Sequence, residues 1–337
     1  MPSSTSSSEV GGPWGRTWLL AVVLAALVLG GAEQQWRARG FTVAVSDSAR
    51  LWSAQRRRAD GVEQPGSVIV GASRAQYGFD LDVFADETGW PAPIQLALQG
   101  RSPLPVLEDL AADASFSGLV IVEVTERILF QWTRQREARA RRRVEESHAL
   151  AASQTETFEA WIDGAVGGHL AFRNPELSFD RMLGLAHGGF ALVPRERWVL
   201  PDRSAKMDFS RARAAILENR WVRRLAAEEP PGAVVRGRIL DEVAKAVEAI
   251  RARGGEVVLV RMPGSGALAA MEEQKFPRES FWEVLVRRVG GPAIHFEDYE
   301  ELRSIATPDG SHIDFRDAPE FTRALARVLQ RQLAGPS

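Results

Sequence analysis

Two short segments, far apart in the chain, carry residue types that can perform acyl chemistry together. The first is Val68-Ile-Val-Gly71-Ala-Ser73-Arg74, a strand-like run leading straight into a small turn that ends on serine. A serine placed there projects from the carboxyl end of a strand, beside the amides of a helix start, which can bind a developing oxyanion. The same position also suits an ordinary helix cap. The second segment is Thr307-Pro-Asp309-Gly-Ser-His312. An aspartate three residues ahead of a histidine can orient the imidazole, and an oriented imidazole can deprotonate a serine hydroxyl. A lone histidine would more often be structural. The order of the parts, a serine after the first strand and Asp-x-x-His before the last helix, favours Ser73, Asp309 and His312 as one set.

The elements that must position these residues read as alternating strands and helices. Val- and Ile-rich runs at Ser67–Val70, Ile94–Leu98, Leu119–Val124, Glu256–Val260 and Ala293–Phe296 suit buried strands of a parallel sheet. Helical spacing appears at 103–112 and at 234–253, where Ile239, Val243, Val247 and Ile250 share one face. A last helix is expected over 317–333, capped by Asp317 with Pro319 in its first turn. This alternation predicts an α/β fold with a doubly wound, five-stranded parallel sheet whose ligands bind at the strands' carboxyl ends. Between the third and fourth strands lies far more chain than a crossover needs. We expect a mostly helical insertion over about 126–230, with a long helix near 126–163 and another near 208–226. The former carries Arg134, Arg136, Arg139, Arg141, Arg142 and Arg143, which read as a solvated face or as a contact for anionic headgroups or an acidic glycan.

The run Thr17–Ala32 has no charged residue and is flanked by Trp14, Trp18 and Trp36. It reads as a signal anchor, with two alternatives: a signal peptide cut after Gly30 and Ala32, or a buried core helix. Either membrane reading leaves the rest of the chain outside the cytoplasm. The expected organisation is a disordered 1–13, a transmembrane helix over 14–36, a linker and helix over 37–65, and an α/β domain over 66–337.

Composition narrows the function. The 337 residues are 45% apolar and 26% charged, an ordinary globular balance, with a net charge of -2 that argues against nucleic acid as partner. There is no cysteine, which removes thiol catalysis and thiolate metal sites. Basic charge rests on 39 arginines against Lys206, Lys245 and Lys275, a skew that reads as coding bias. His148, His169, His187 and His295 lack ligand spacing, so no metal is expected. His187 is a turn or core histidine or a pocket residue. Gly264-Ser-Gly266 only loosely matches a dinucleotide pattern, so no cofactor is expected.

Over roughly 66–125 and 255–335 the chain resembles the SGNH (GDSL-like) hydrolase superfamily. That resemblance implies Ser73 as nucleophile, Asp309 and His312 as its partners, and the Ser73 and Gly100 amides as oxyanion donors. The Gly-x-Asn-Asp pattern of that family is replaced by Glu123-Val-Thr125-Glu126-Arg127, where Thr125 is the candidate third donor. Arg74 and Arg261 are candidates for positioning substrate, each with a salt bridge as its alternative. The Gly-x-Ser-Arg form, the anchor and the stretch Glu33…Trp36-Arg37…Gly40…Asp47-Ser48…Leu51-Trp52…Arg56 are similar to membrane-anchored SGNH-like proteins of bacterial envelopes, of the teichoic-acid D-alanylation and exopolysaccharide O-acetylation types. This implies a serine esterase or O-acyltransferase acting on an envelope glycan or polymer, with a membrane acyltransferase as potential partner. The alternative is a catalytically inactive SGNH-like module serving a membrane assembly, or an anion-binding α/β protein.

Overall fold

The computed structural model describes residues 14–130, 134–151, 168–179, 181, 183 and 193–335. The described residues divide into two units, one within Met1–Val43 and His169–Pro194, the other within Ala44–Gly168 and Arg195–Ser337.

The first unit is dominated by helix α1 (Trp14–Ala38), which is long and apolar enough to cross a membrane and has no buried residue. The exposure of Leu19, Leu20, Leu24 and Leu27 corrects the core-helix alternative. Near its end, Glu33 accepts the backbone N–H groups of Ala171 and Phe172 at 2.9 and 3.0 Å, and Arg37 donates to the His169 carbonyl at 3.0 Å.

The second unit contains α2 (Ala49–Arg58), β1 (Glu63–Val70), α3 (Ser73–Gly78), α4 (Leu81–Thr88), β2 (Ile94–Gln95), α5 (Leu104–Ala112), β3 (Ser117–Glu123), α6 (Glu126–Phe130) and α7 (Arg134–Ala151). It continues with β4 (Arg197–Val199), β5 (Ala205–Met207), α8 (Ala214–Ala226), α9 (Ala233–Arg251), β6 (Glu256–Arg261), α10 (Gly266–Lys275), α11 (Trp282–Val289), β7 (Ala293–His295), α12 (Glu300–Arg303) and α13 (Ala318–Ala334). Five strands form one parallel sheet in the order β2-β1-β3-β6-β7. This is the α/β architecture expected from the sequence.

Alternation along each strand builds two cores. Val68, Val70, Val120, Val122, Val257 and Leu259 face one side, with Val243, Val247 and Ile250 of α9. Ile69, Leu119, Ile121, Val258 and Val260 face the other, against Phe321, Leu325 and Val328 of α13. Each such side chain contributes about 1.5–3 kcal/mol when fully buried, so a one-residue slip of a central strand is strongly disfavoured. The chain passes from β1 to β2 on one side and returns to β3 on the other, so a crevice opens between the ends of β1 and β3.

Several expectations need correction. The strand near Ile94–Leu98 pairs only over Ile94–Gln95, and the one near Ala293–Phe296 stops at His295, where a short 3-10 turn begins. The long 126–163 helix is described only as α6 and α7, and its remainder lies outside the described residues. The helix expected from 208 starts at Ala214, because Asp208 folds its carboxylate back onto Ser210 in a turn. The insertion also holds an unexpected antiparallel hairpin, β4 with β5. Asp317 stands before α13 with Pro319 following, yet its side chain makes no capping bond. Asp314 takes over in the preceding turn, accepting the amides of Phe209 and Arg316 at 2.8 and 3.0 Å.

Candidate active site

Ser73 is the first residue of α3, three residues beyond the end of β1. The approach of β3 explains the glycine before it. A Cβ on Gly71 would lie 2.7 Å from the Glu123 Cβ and 2.8 Å from the Ala75 Cβ. Glu123, buried at the end of β3, accepts the Ala72 N–H at 2.7 Å and the Thr125 hydroxyl at 2.5 Å. A buried carboxylate thus braces the turn that carries the serine. Among the described residues neither the Ser73 nor the Gly100 N–H meets an acceptor. Gly100 adopts φ +64, a left-handed backbone that favours glycine, and an added Cβ would meet nothing.

The segment leading to Gly100 is fixed by residues that local patterns did not flag as functional. Arg203, fully buried, donates to the Gln95 and Ala97 carbonyls at 2.8 and 3.0 Å and pairs with Asp47 at 2.9 and 3.1 Å. Trp52 donates its indole N–H to the Leu96 carbonyl at 3.0 Å, and the Leu98 N–H reaches the Gly71 carbonyl at 2.9 Å. Ser48 caps α2, and Arg56 pairs with Asp109, Asp113 and Asp60. The Asp47…Arg56 stretch is therefore scaffolding for the loop after β2.

The Asp309–His312 loop closes onto the serine. His312 Nε2 lies 2.9 Å from Ser73 Oγ, and His312 Nδ1 lies 2.8 Å from Asp309 Oδ2. The other Asp309 oxygen accepts the loop's own amides, from Ser311 at 3.0 Å and His312 at 2.8 Å. Burial pushes the Asp309 carboxyl up, but the His312 ring and these amides outweigh it and bring the pKa down to about 2. An ionised carboxylate can only accept, so Nδ1 carries the imidazole proton and Nε2 is left to accept from the serine hydroxyl. Gly310 makes the turn at φ +78, where a Cβ would sit 2.9 Å from the Leu268 Cβ.

Two aromatic rings hold the imidazole. Tyr77 meets it edge-on with centroids 5.3 Å apart, and Trp221 does so at 6.3 Å. Trp221 also donates its indole N–H to Asp309 Oδ2 at 3.2 Å. Burial pushes the Tyr77 phenol up, which keeps it neutral. Trp221 lies on α8, so the insertion contributes directly to the site.

Ser73, Gly100, Thr125, Asp309 and His312 all line one pocket of about 440 Å³ at the ends of β1 and β3. Thr125 reaches it, but its hydroxyl proton is committed to Glu123, which corrects the expectation of a third donor there. Arg74 also lines the pocket, and its guanidinium already has partners. Its Nη2 contacts both Glu272 oxygens at 2.9 Å, and its Nε donates to Ser311 Oγ at 3.1 Å, tying the nucleophile's neighbour to the histidine loop. Arg261 does not line the pocket. It is buried between Glu126 at 2.8 Å and Glu272 at 2.9 Å, which corrects its reading as a substrate group in favour of an ion pair at the sheet edge. Burial pushes Glu272 up, and Arg74 and Arg261 more than reverse it, so it stays ionised.

The weaker motifs take structural roles. Glu218 accepts the Ala267 N–H at 2.8 Å, filling the helix start that a pyrophosphate would need after Gly264-Ser-Gly266. His148 pairs with Asp109, and His295 is buried against Phe296. His187 lies outside the described residues. No group of three or more His, Asp or Glu among the described residues is placed to hold a metal.

No protein-family model matches the chain, and neither does any curated protein. Among solved structures, "Crystal Structure of TesA" aligns with 79% of this chain and 98% of its own at 13% identity, with a TM-score of 0.35. The reading of the site rests on its own geometry.

Proposed function

We propose that this chain is a membrane-anchored, SGNH-type serine esterase or O-acyltransferase that works outside the cytoplasm on a cell-envelope glycan or other surface polymer. The observation that carries the reading is the continuous relay from Asp309 through His312 to Ser73, at 2.8 and 2.9 Å. Ser73 Oγ adds to an ester carbonyl while its proton passes to His312 Nε2. The carbonyl oxygen becomes an oxyanion facing the Ser73 and Gly100 amides. Collapse of the tetrahedral intermediate breaks the ester bond, and His312 returns the proton to the departing alcohol. An acyl-Ser73 ester remains. An acceptor hydroxyl or water, deprotonated by His312, then attacks it and frees the serine. Residues of α8 and the hairpin, both from the insertion, line the pocket, and if they keep water out, transfer to a polymer hydroxyl is favoured.

The anchor supports the envelope assignment. At about 1.5 Å per residue the 25 residues of α1 rise about 37 Å, against a hydrocarbon core of about 30 Å. One observation favours a second reading, a catalytically inactive module: Thr125, the candidate third oxyanion donor, has its hydroxyl committed to Glu123. A fluorophosphonate probe separates the two. On the full chain in neutral detergent we expect labelling and p-nitrophenyl acetate turnover, both abolished in Ser73→Ala and His312→Ala. Absence of both from the wild type would sink the catalytic reading and leave the module.

A further inference from the structure

The pocket is lined by seven arginines against two acids, Glu196 and Asp309, although the chain as a whole has a net charge of -2. Asp309 is fully engaged by His312, Ser311 and Trp221. Arg74 is held by Glu272, and Arg127 lies 3.5 Å from Glu228. The other five behave differently. Arg101, Arg139, Arg197, Arg220 and Arg224 make no hydrogen bond or ion pair among the described residues. Four of them are exposed, and Arg101 is half-buried. Such like charges around one concave wall repel each other, and a folded chain gains nothing from gathering them there. By contrast, Arg56, Arg203, Arg261 and Arg278, away from the pocket's lining, each meet carboxylates. Burial, and then Arg143, push the Arg101 guanidinium down, and Asp47 and Glu146 oppose this without reversing it.

From this unpaired arginine ring we infer that the site takes an anionic polymer, whose carboxylate or phosphate groups the arginines bind while its ester or acceptor hydroxyl reaches Ser73. The inference rests on the acyl-transfer reading above and names its substrate class. The placement favours a chain over a single small anion. The five arginines come from four separate elements: the loop after β2, α7, β4 and α8. Arg220 and Arg224, four residues apart, stand on one face of α8 on either side of Trp221, which itself touches the triad. Charges spread over several walls match several anionic groups spaced along a polymer. Planar guanidinium forks suit both carboxylate and phosphate oxygens.

Binding can be read without turnover, using full-length protein carrying Ser73→Ala in neutral detergent. The probes are fluorescent oligogalacturonate for carboxylates, inorganic polyphosphate for phosphates, and dextran as a neutral chain. We expect at least one polyanion to bind about a hundredfold more tightly than dextran, with an affinity that falls as salt rises. Which of the two binds tells carboxylate from phosphate. Reversing Arg197 and Arg220 to glutamate should weaken polyanion binding by about tenfold for each charge. Arg288→Glu, the same charge change far from the pocket and opposite Asp241, should leave it unchanged. Melting curves of the Ser73→Ala protein with and without each reversal check folding, and the milder Arg220→Gln serves if the double reversal unfolds. Dextran binding as well as the polyanions, Arg288→Glu weakening binding as much as the pocket reversals, or adsorption to anionic lipid vesicles with no polymer binding would each overturn the inference. A wild-type protein that resists fluorophosphonate yet binds polyanion through these arginines would defeat the catalytic reading alone.

Discussion

Replacing Asp309 with asparagine tests the relay most sharply, because the structure dictates how the amide must sit. Asp309 Oδ1 accepts two backbone N–H groups, from Ser311 and His312. The asparagine oxygen must take that place, which turns its NH2 towards His312 Nδ1 and the Trp221 N–H. A donor there forces the imidazole proton onto Nε2 and removes the acceptor that Ser73 needs. The charge loss adds to this. A carboxylate about 4 Å from an imidazolium at an effective dielectric near 20 contributes about 4 kcal/mol, or about a thousandfold in rate. With the wrong tautomer, the loss should reach about 10⁴-fold. The assay is the second-order rate of fluorophosphonate labelling beside p-nitrophenyl acetate turnover. A variant within tenfold of wild type would refute the relay. The same group sets a pH dependence. Its pKa falls from the ordinary 3.8 to about 2 on folding, so its stabilisation is complete above about pH 4 and is lost as pH falls towards 2. That contribution is about 2 kcal/mol. Urea titrations at pH 7 and near pH 2.5 should therefore show the stability gap between wild type and Asp309→Asn closing in acid; a constant gap would count against the depressed pKa.

Other perturbations follow from the packing around the relay. Gly71→Ala places a methyl 2.7 Å from Glu123 and should cost about 1–3 kcal/mol in urea unfolding, with nucleophile labelling slowed because the serine turn moves; an unchanged midpoint would mean that β1 and β3 separate without cost. Glu272→Gln leaves Arg74 and Arg261 without their shared carboxylate and should destabilise by about 3 kcal/mol, with a drop in Tm visible by circular dichroism. Trp221→Phe keeps the ring beside His312 but loses the N–H to Asp309. We expect a fall in kcat of up to about tenfold with a folded protein, since one hydrogen bond to a charged group contributes about 1.5 kcal/mol or somewhat more.

What could be read along the chain was whatever a few consecutive residues determine. The five strands were visible because alternating burial is a period-two property of each run, as Val68, Ile69 and Val70 illustrate by facing opposite cores. The Asp309–His312 pair was visible for a similar reason: one carboxylate oxygen is held by amides two and three residues on, so the motif is nearly self-contained. The β4–β5 hairpin was missed because three-residue strands are too short to show a period. Trp221 was missed because its partner Asp309 is 88 residues away, and in sequence it is one more apolar residue of an amphipathic helix. Arg203 left no mark either, since its acceptors are the Gln95 and Ala97 carbonyls and its counter-charge is Asp47.

The arginines divide most clearly between the two levels. Arg74 and Arg261 look alike in sequence, each just beyond a strand and each able to meet substrate. Folding brings Glu272 to both and Glu126 to Arg261, so one becomes a strut for the histidine loop and the other an internal ion pair. Arg101, Arg197, Arg220 and Arg224 carry no sequence signal, yet folding gathers them around the pocket with no ion pair among the described residues. The buried faces of strands and helices and the spacing of an aspartate from its histidine are local, and the sequence alone determined them. Whether a charge is neutralised depends on which distant carboxylate arrives within about 4 Å, where the Coulomb energy becomes large, and only the tertiary structure decided that.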